Sequence, residues 1–329
     1  MAYDGRIMQR ALTRFDEDKQ RRAAQLEQRR RTAYARAPRL AEIEAALRGT
    51  MGRIISSALA RGSDPVPAIR VLRDENLQLQ RERAELLASL GYPADYLEEK
   101  PACDKCGDTG YVSGGVCACL RAYYAREQLA ELSRLLPLGE DSFETFSFDW
   151  YDSAVQPAFG ISPRENMERN YDVCRDYAYQ FAKGSGDLLL SGGTGLGKTF
   201  LSACIARVVS ENGFSVVYDT AASVFSRFED AKFRRDDGGS EDADRCMRCD
   251  LLILDDLGTE MTTSFVQSAL YQIVNGRLMA GRSTIISTNL APEEIGSRYG
   301  RSVLSRLEGE YEILPFFGED IRRLKRERQ

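Results

Sequence analysis

An apolar run that ends in a glycine-rich turn and restarts as a helix fits few folds, and this chain contains one. Asp187-Leu-Leu-Leu-Ser191 is followed at once by Gly192-Gly-Thr-Gly-Leu-Gly197-Lys198-Thr199. The apolar run reads as a parallel strand covered on both faces, where no alternation with polar residues is needed. The glycine segment matches G-x-x-x-x-G-K-[ST], whose backbone N–H groups close around phosphates because no Cβ stands in the way. Lys198 can reach the β- and γ-phosphates, and the Thr199 hydroxyl can ligate Mg²⁺. A helix from residue 198 to about 212 aims its positive end at the anion. Gly192, Gly193, Thr194, Gly195, Leu196, Gly197, Lys198, Thr199 and Phe200 are the expected contacts to a nucleotide.

The chain beyond the loop keeps alternating strand and helix. Strands are predicted at 215–219, 250–256, 283–288 and 311–316. Helices are predicted from 220 to about 235 and over 263–280, with a short basic helical region at 293–307 and an acidic, glycine-containing loop at 236–244. Such alternation predicts a parallel sheet, hence an α/β fold. Before the loop, Ser162-Pro163 reads as a helix cap with Pro in the first turn, and the helix carries Met167, Tyr171, Cys174 and Ala178 on one face. The aromatic segment Phe143-Glu-Thr-Phe-Ser-Phe-Asp-Trp-Tyr151 reads as a strap packing onto this domain.

At 329 residues the chain suits about two domains. No apolar run is long enough to cross a bilayer, and the N-terminus is charged, so a soluble, cytoplasmic protein without membrane contact is expected. There are 8 Cys and no His. The lack of His excludes a His general base, Ser-His-Asp chemistry and any His metal ligand. The net charge of −5 says little, because charge is unevenly spread.

The N-terminal part looks helical. Residues 6–48 are rich in helix formers and carry 12 Lys/Arg against 6 Asp/Glu. That excess suits a solvated helix face or an arm docking on an acidic partner or nucleic acid. Pro38 should split this helix, and a turn is predicted at 62–67. Ile69, Leu72, Asn76, Leu79, Arg83, Leu86 and Leu90 then repeat with 3–4 spacing, a heptad seam of a few turns that suits a helical hairpin or a short coiled coil. An antiparallel hairpin with the preceding helices is expected, ending at Gly91-Tyr92-Pro93.

Cys103-Asp-Lys-Cys106 and Cys117-Ala-Cys119 are two close pairs separated by a glycine-rich stretch. Four thiolates on tight turns can close a tetrahedral Zn²⁺ site, which would be structural because no position stays open. Zinc would supply folding energy to a segment too small for its own core. An iron–sulfur cluster also takes four Cys. A helix follows at 120–136. The expected organisation is a helical region over 1–98, a four-cysteine zinc module with linker helix over 99–142, and the nucleotide domain over 143–329.

Asp255 and Asp256 end an apolar strand. Asp255 can hold Mg²⁺, and Asp256 can polarise a water attacking the γ-phosphate. Asn289, closing another buried strand, can orient the same water. Arg298, Arg301 and Arg306 lie in a basic helical stretch, where a guanidinium can reach a neighbour's γ-phosphate. Arg322 follows the last strand and can touch the nucleotide from within the chain. Cys246 and Cys249 read as reduced structural cysteines, and Cys174 and Cys204 as core.

The combination resembles the AAA+ domain of bacterial helicase loaders of the DnaC/DnaI type. The resemblance rests on Ser162-Pro-Arg-Glu-Asn166, the phosphate loop, Asp250-Leu-Leu-Ile-Leu-Asp-Asp-Leu-Gly-Thr-Glu260, Ser287-Thr-Asn289, the segment from Ser297 to Leu307 and Gly318-Glu-Asp-Ile-Arg322. The Cys-x-x-Cys-Gly-Asp-Thr-Gly stretch is similar to the zinc module of the Firmicute and phage versions. The resemblance implies an ATPase in DNA replication that binds the hexameric DnaB-type replicative helicase and single-stranded DNA, self-associates when ATP-bound, and uses ATP as a switch. It implies Asn289 as sensor 1, Arg306 as trans arginine finger and Arg322 as sensor 2. It also implies that the helix at 220–235 touches single-stranded DNA, and the Phe225, Phe228 and Phe233 rings interleaved with Arg227, Lys232, Arg234 and Arg235 fit that independently. Many ATPases of this class have Glu where Asp256 stands. Slow hydrolysis stimulated by a partner or single-stranded DNA is therefore expected, with Glu260 the alternative water-positioning carboxylate. Two other readings are an IstB-type transposition helper acting on duplex DNA with a transposase, and a non-hydrolysing ATP-gated adaptor.

Overall fold

The computed structural model describes residues 3–59, 65–135, 142–233 and 237–328. The chain forms two compact units, one of Met1–Leu12 with Ala118–Gln329 and one of Thr13–Cys117. Among the described residues no helix is long and apolar enough to cross a membrane.

The smaller unit is helical. Helix α1 spans Gly5–Arg36 and α2 spans Arg39–Leu59, with Pro38 in the break, where its ring would clash with the preceding turn. Helix α3, Pro65–Ser89, packs on α2. The predicted turn at 62–67 falls partly outside the described residues; from Pro65 the chain is already helical. Leu87 and Leu40 are fully buried with Ala33 and Leu97. Leu86 and Leu90 of the expected seam pack, partly buried, against this cluster, and Leu87 between them is fully buried in it. Arg83, the polar break in that seam, pairs its Nε with Glu44 Oε1 at 2.6 Å, and both side chains are largely buried. A two-stranded hairpin, β1 (Tyr111–Val112) and β2 (Gly115–Val116), closes the unit.

The larger unit is built on a parallel sheet. Helix α4 (Ala118–Leu135) and two short 3-10 turns, Phe143–Thr145 and Phe148–Trp150, lead to α5, Pro163–Tyr179. Ser162 caps α5, its hydroxyl accepting from the Glu165 N–H at 3.1 Å. Then follow β3 (Asp187–Gly192), α6 (Lys198–Glu211), β4 (Val216–Thr220), α7 (Ala221–Phe233), α8 (Asp237–Arg248) and β5 (Leu251–Leu257). The chain continues through α9 (Ser264–Met279), β6 (Ser283–Thr288), α10 (Pro292–Tyr299), α11 (Arg301–Glu310), β7 (Tyr311–Phe316) and α12 (Ile321–Glu327). The strand order is β4-β5-β6-β3-β7, and every pairing is parallel.

Alternate residues of each strand face opposite sides of a sheet, and two apolar layers result. Leu188, Leu190, Tyr218, Ile253 and Ile285 pack with α5, α6 and the aromatic strap. Leu189, Val217, Leu252, Leu254 and Ile286 pack with α7, α9 and α11. Each fully buried Leu or Ile contributes roughly 1.5–3 kcal/mol, so the sheet is a rigid base for the loops at its carboxyl edge.

Two expectations need correction. The stretch 236–244, read as a loop, lies from Asp237 onward in α8. Ala243, Cys246 and Met247 share one face at helical spacing and pack into the second layer, which outweighs the acidic, glycine-containing composition. In α7, Phe225 and Phe228 are buried in that same layer and cannot stack on bases. Arg227 of α7 is ion-paired with Asp219. The side chain of Phe233 and residues Arg234 and Arg235 lie outside the described residues.

Candidate functional site

The carboxyl ends of β3, β5 and β6 open into a cleft of about 410 Å³. Its floor is the phosphate loop between β3 and α6, and Gly197 caps the helix in a left-handed conformation (φ 97°). A Cβ on Gly197 would stand 2.7 Å from the Tyr151 hydroxyl, and one on Gly195 would collide with the Asp320 carboxylate. The glycines are thus required by close approach of two other segments as well as by the anion. Ile321 N–H donates to the Gly195 carbonyl at 3.0 Å, and Asp320 caps α12, so the last helix starts on the phosphate loop itself.

Lys198 is buried, and its ammonium donates to the Gly192 and Gly193 carbonyls at 2.7 and 2.6 Å. Burial pulls its pKa below the usual lysine value, while the charges of Asp256 and Asp255 act the other way. The Thr199 hydroxyl stands 3.4 Å from Asp255 Oδ1, so one cation can touch both. Asp255 is buried and held from behind: the Tyr218 hydroxyl donates to its Oδ2 at 2.7 Å, and Ser287 Oγ donates to its Oδ1. Burial, then the Asp255 charge, push the Tyr218 phenol well above its usual value, so it remains a donor.

Asp256 is exposed to the cleft and adopts φ 55°. Although its side chain reaches solvent, partial desolvation by the cleft walls, followed by the neighbouring Asp255 charge, raises its carboxyl above the ordinary range, against the pull of Lys198 and Arg322. A carboxylate with raised basicity beside a phosphate loop suits polarisation of water. Glu260 is engaged elsewhere, accepting from Tyr299 and from the Gly258 N–H, the latter at 3.1 Å. Asn289, Arg322 and Phe200 line the same cleft.

The fold therefore brings together the phosphate loop, Lys198, Thr199, Asp255, Asp256, Asn289 and Arg322. Arg306 is not among them: it sits exposed on α11, 3.8 Å from Glu310. Arg298 donates to the Gly258 carbonyl. Sequence reasoning missed the aromatic wall. Phe146, Trp150 and Tyr151 of the strap line the cleft, together with Lys325 of α12. Lys325 and Arg328 stand over the Trp150 ring at 5.5 and 4.6 Å from its centroid. The density of aromatics marked a packing strap, and only the fold puts that strap beside the phosphates. Tyr218 and Ser287, which orient Asp255, were also not singled out.

The four sulfurs of Cys103, Cys106, Cys117 and Cys119 all lie within 4.8 Å of one another, and Cys103 and Cys117 are 3.8 Å apart. Metal–sulfur bonds of about 2.3 Å in a tetrahedron place sulfurs about 3.8 Å apart, so the donor set fits a single Zn²⁺. A multi-iron cluster would hold its thiolates wider apart. Gly107, Asp108 and Gly110 turn the chain with positive φ. The Asp108 carboxylate accepts from the Ala102 and Cys103 N–H groups, each at 3.0 Å, and pairs with Arg22 at 2.9 Å. Cys246 and Cys249 are buried in the second core layer, where Cys249 contacts the buried Arg277, and Cys174 and Cys204 lie in the first.

Residues 173–329 match the family model described as IstB-like ATP binding protein. The uncharacterized protein YdaV of Escherichia coli K12 is 31% identical over 161 residues, which cover 45% of this chain and 64% of that protein. The replicative helicase loader DnaC of the same strain is 30% identical over 135 residues, covering 40% of this chain and 54% of the loader. The chain thus spans roughly half to two-thirds of the length of these relatives. A crystal structure of the DnaC helicase loader aligns with a TM-score of 0.43 and 20% identity over 53% of this chain and 98% of that one. With the phosphate loop, the paired carboxylates and the parallel sheet in place, the chain from residue 173 onward is an IstB/DnaC-like AAA+ P-loop domain.

Proposed function

We propose that this protein is an ATP- and Mg²⁺-dependent helicase loader of DNA replication, acting in the cytoplasm. The observation that carries the ATPase part is the convergence of Lys198, Thr199, Asp255, Asp256, Asn289 and Arg322 on one cleft. Similarity to the replicative helicase loader DnaC supports the loading role.

The chemistry follows from the placement of these groups. The phosphate-loop amides and Lys198 hold the β- and γ-phosphates, and Thr199 and Asp255 hold Mg²⁺, which neutralises phosphate charge when bound. Asp256 and Asn289 orient the attacking water. Arg322 approaches the γ-phosphate from α12, while Arg306, exposed on α11, is offered to the site of a neighbouring subunit. Hydrolysis is then slow until self-association or a partner completes the site, and ATP acts as a switch. The helical part and the four-cysteine module, residues 1–142, grip the replicative helicase hexamer, with zinc as a structural ion. Single-stranded DNA, if it passes α7, meets its exposed polar residues, Lys232 among them, because Phe225 and Phe228 are in the core.

The test is size-exclusion chromatography with light scattering of this protein mixed with the host's replicative helicase, with and without ATP. A co-complex is expected, together with ATP turnover that rises with single-stranded DNA. No co-complex under any nucleotide condition, with binding to duplex DNA and a transposase instead, would establish the transposition-helper reading that the IstB-like match keeps in play. Nucleotide binding without turnover would identify an ATP-gated adaptor.

A further inference from the structure

The two acidic residues of β5 sit in an irregularity of the sheet. Leu254 pairs with Ile286 and Leu257 with Thr288, so Asp255 and Asp256 together oppose the single residue Ser287. Two residues against one is a β-bulge, a device that bends a strand and re-aims side chains beside active sites. In a regular strand, adjacent side chains point to opposite faces. Here Asp255 is buried toward Thr199 while Asp256 turns out into the cleft with φ 55°.

The one residue facing the bulge bonds to both acids. The Asp256 N–H donates to Ser287 Oγ at 3.0 Å, which leaves the Ser287 proton for Asp255 Oδ1. Tyr218, from the strand on the other side, donates to Asp255 Oδ2 at 2.7 Å. Ser287 is fully buried and lies two residues before Asn289 on β6. We propose that Ser287 is a positioning residue: its hydroxyl locks the bulge and thereby sets the metal-holding angle of Asp255 and the water-facing direction of Asp256, with Tyr218 bracing the far oxygen. The inference rests on the reading of this cleft as an ATP·Mg²⁺ site.

The chain's single tryptophan, Trp150, lines the cleft, so its fluorescence is the readout chosen for nucleotide binding. The experiment titrates nucleotide and Mg²⁺ into the full-length parent, Ser287→Ala, Ser287→Thr and Tyr218→Phe, and measures ATP turnover in parallel. Removing a group that orients a metal ligand typically costs 10–100-fold in metal affinity or activity. For Ser287→Ala the Mg²⁺ half-saturation of ATP binding should rise roughly tenfold and kcat should fall roughly 10–100-fold, while nucleotide affinity in EDTA stays at the parent value. Ser287→Thr, which keeps the hydroxyl, should recover much of both. Tyr218→Phe, which removes the brace on the far oxygen of Asp255, should likewise raise the Mg²⁺ half-saturation. If the parent shows Mg²⁺-dependent binding and Ser287→Ala matches it in half-saturation and turnover, the positioning role is wrong. A parent that binds no nucleotide under any condition overturns the ATP reading and this inference with it. A variant weakened equally with and without Mg²⁺ would show a merely structural serine and likewise overturn the proposal.

Discussion

The hydroxyl of Tyr151 donates to the carbonyl of Leu196 at 3.1 Å, tying the aromatic strap to the phosphate loop from outside the sheet. The same hydroxyl stands 2.7 Å from where a Cβ on Gly197 would be, too close for one to fit. Loop shape is therefore set partly by a segment more than forty residues upstream, through a buried hydrogen bond.

Tyr151→Phe should cost about 1–2 kcal/mol of stability, because the Leu196 carbonyl loses its buried donor. Gly197→Ala should be far more damaging to nucleotide binding. It needs both a left-handed backbone at φ 97° and room that Tyr151 occupies. In the Gly197→Ala/Tyr151→Phe double variant the steric clash is relieved and the backbone strain remains, so nucleotide binding should recover only in part. Full recovery in a Trp150 fluorescence titration would show that crowding alone dictates glycine here.

Asp187 predicts a pH dependence of stability. It opens β3, is buried, and accepts the Thr284 N–H at 2.5 Å. Burial raises its pKa from 3.8 to about 6, against the pull of that N–H and of the Arg277 charge. The folded protein thus binds this proton more tightly than the unfolded chain. The contribution of Asp187 is most favourable below pH 3.8, declines as pH rises toward 6, and levels off above that. A difference of that size corresponds to on the order of 3 kcal/mol. Asp187→Asn keeps an acceptor for Thr284 and removes the charge. Urea melts from pH 4 to 8 should lose this slope and show the variant more stable than the parent above pH 6; an unchanged slope would exonerate Asp187.

Arg83 and Glu44 form an ion pair with both side chains only 13% exposed. Arg83→Met should destabilise the smaller unit by about 3 kcal/mol, because Glu44 is left buried and unpaired. Arg83→Met/Glu44→Leu should recover most of that, since apolar replacement of a buried pair is often neutral. A double variant no better than the single one would mean that the Arg83 bond to the Ala94 carbonyl at 2.8 Å matters more than the ion pair.

The cysteine cluster predicts one tightly held zinc per chain, measurable by elemental analysis. Structural zinc in small modules contributes about 10–16 kcal/mol of apparent binding energy, and that energy is folding energy. Chelation, or Cys103→Ser, should therefore unfold the segment around residues 102–119 and make it a preferred site of proteolysis, while the AAA+ unit still melts cooperatively. Protease resistance that survives full metal removal would show the turns fold unaided.

Much of the site was legible in the sequence because its signals are local. The phosphate loop, the Ser162 cap, the apolar strands and the two Asp at the end of β5 each depend on residues within a few positions, so spacing alone exposes them. The cysteine pairs belong to the same class, since two short turns can close a tetrahedron. Composition misled where tertiary burial competed with it. In α7, Phe225 and Phe228 look like a base-stacking stripe in sequence, yet they fill the layer beneath the sheet. The acidic stretch leading to Arg248 looks like a loop, yet Cys246 and its neighbours bury one face as a helix.

By itself, then, the sequence determined that a parallel sheet carries a phosphate loop and two carboxylates, and that four thiolates sit close enough for one metal ion. Only the tertiary structure decided what surrounds them. Parallel strands are joined by long crossovers, so residues that meet at the sheet edge are far apart in the chain and share no spacing. That is why Tyr218 and Ser287 flank Asp255, why Lys325 sits over the Trp150 ring at the cleft, and why Glu260 is turned toward Tyr299 while Asp256 faces the open cleft.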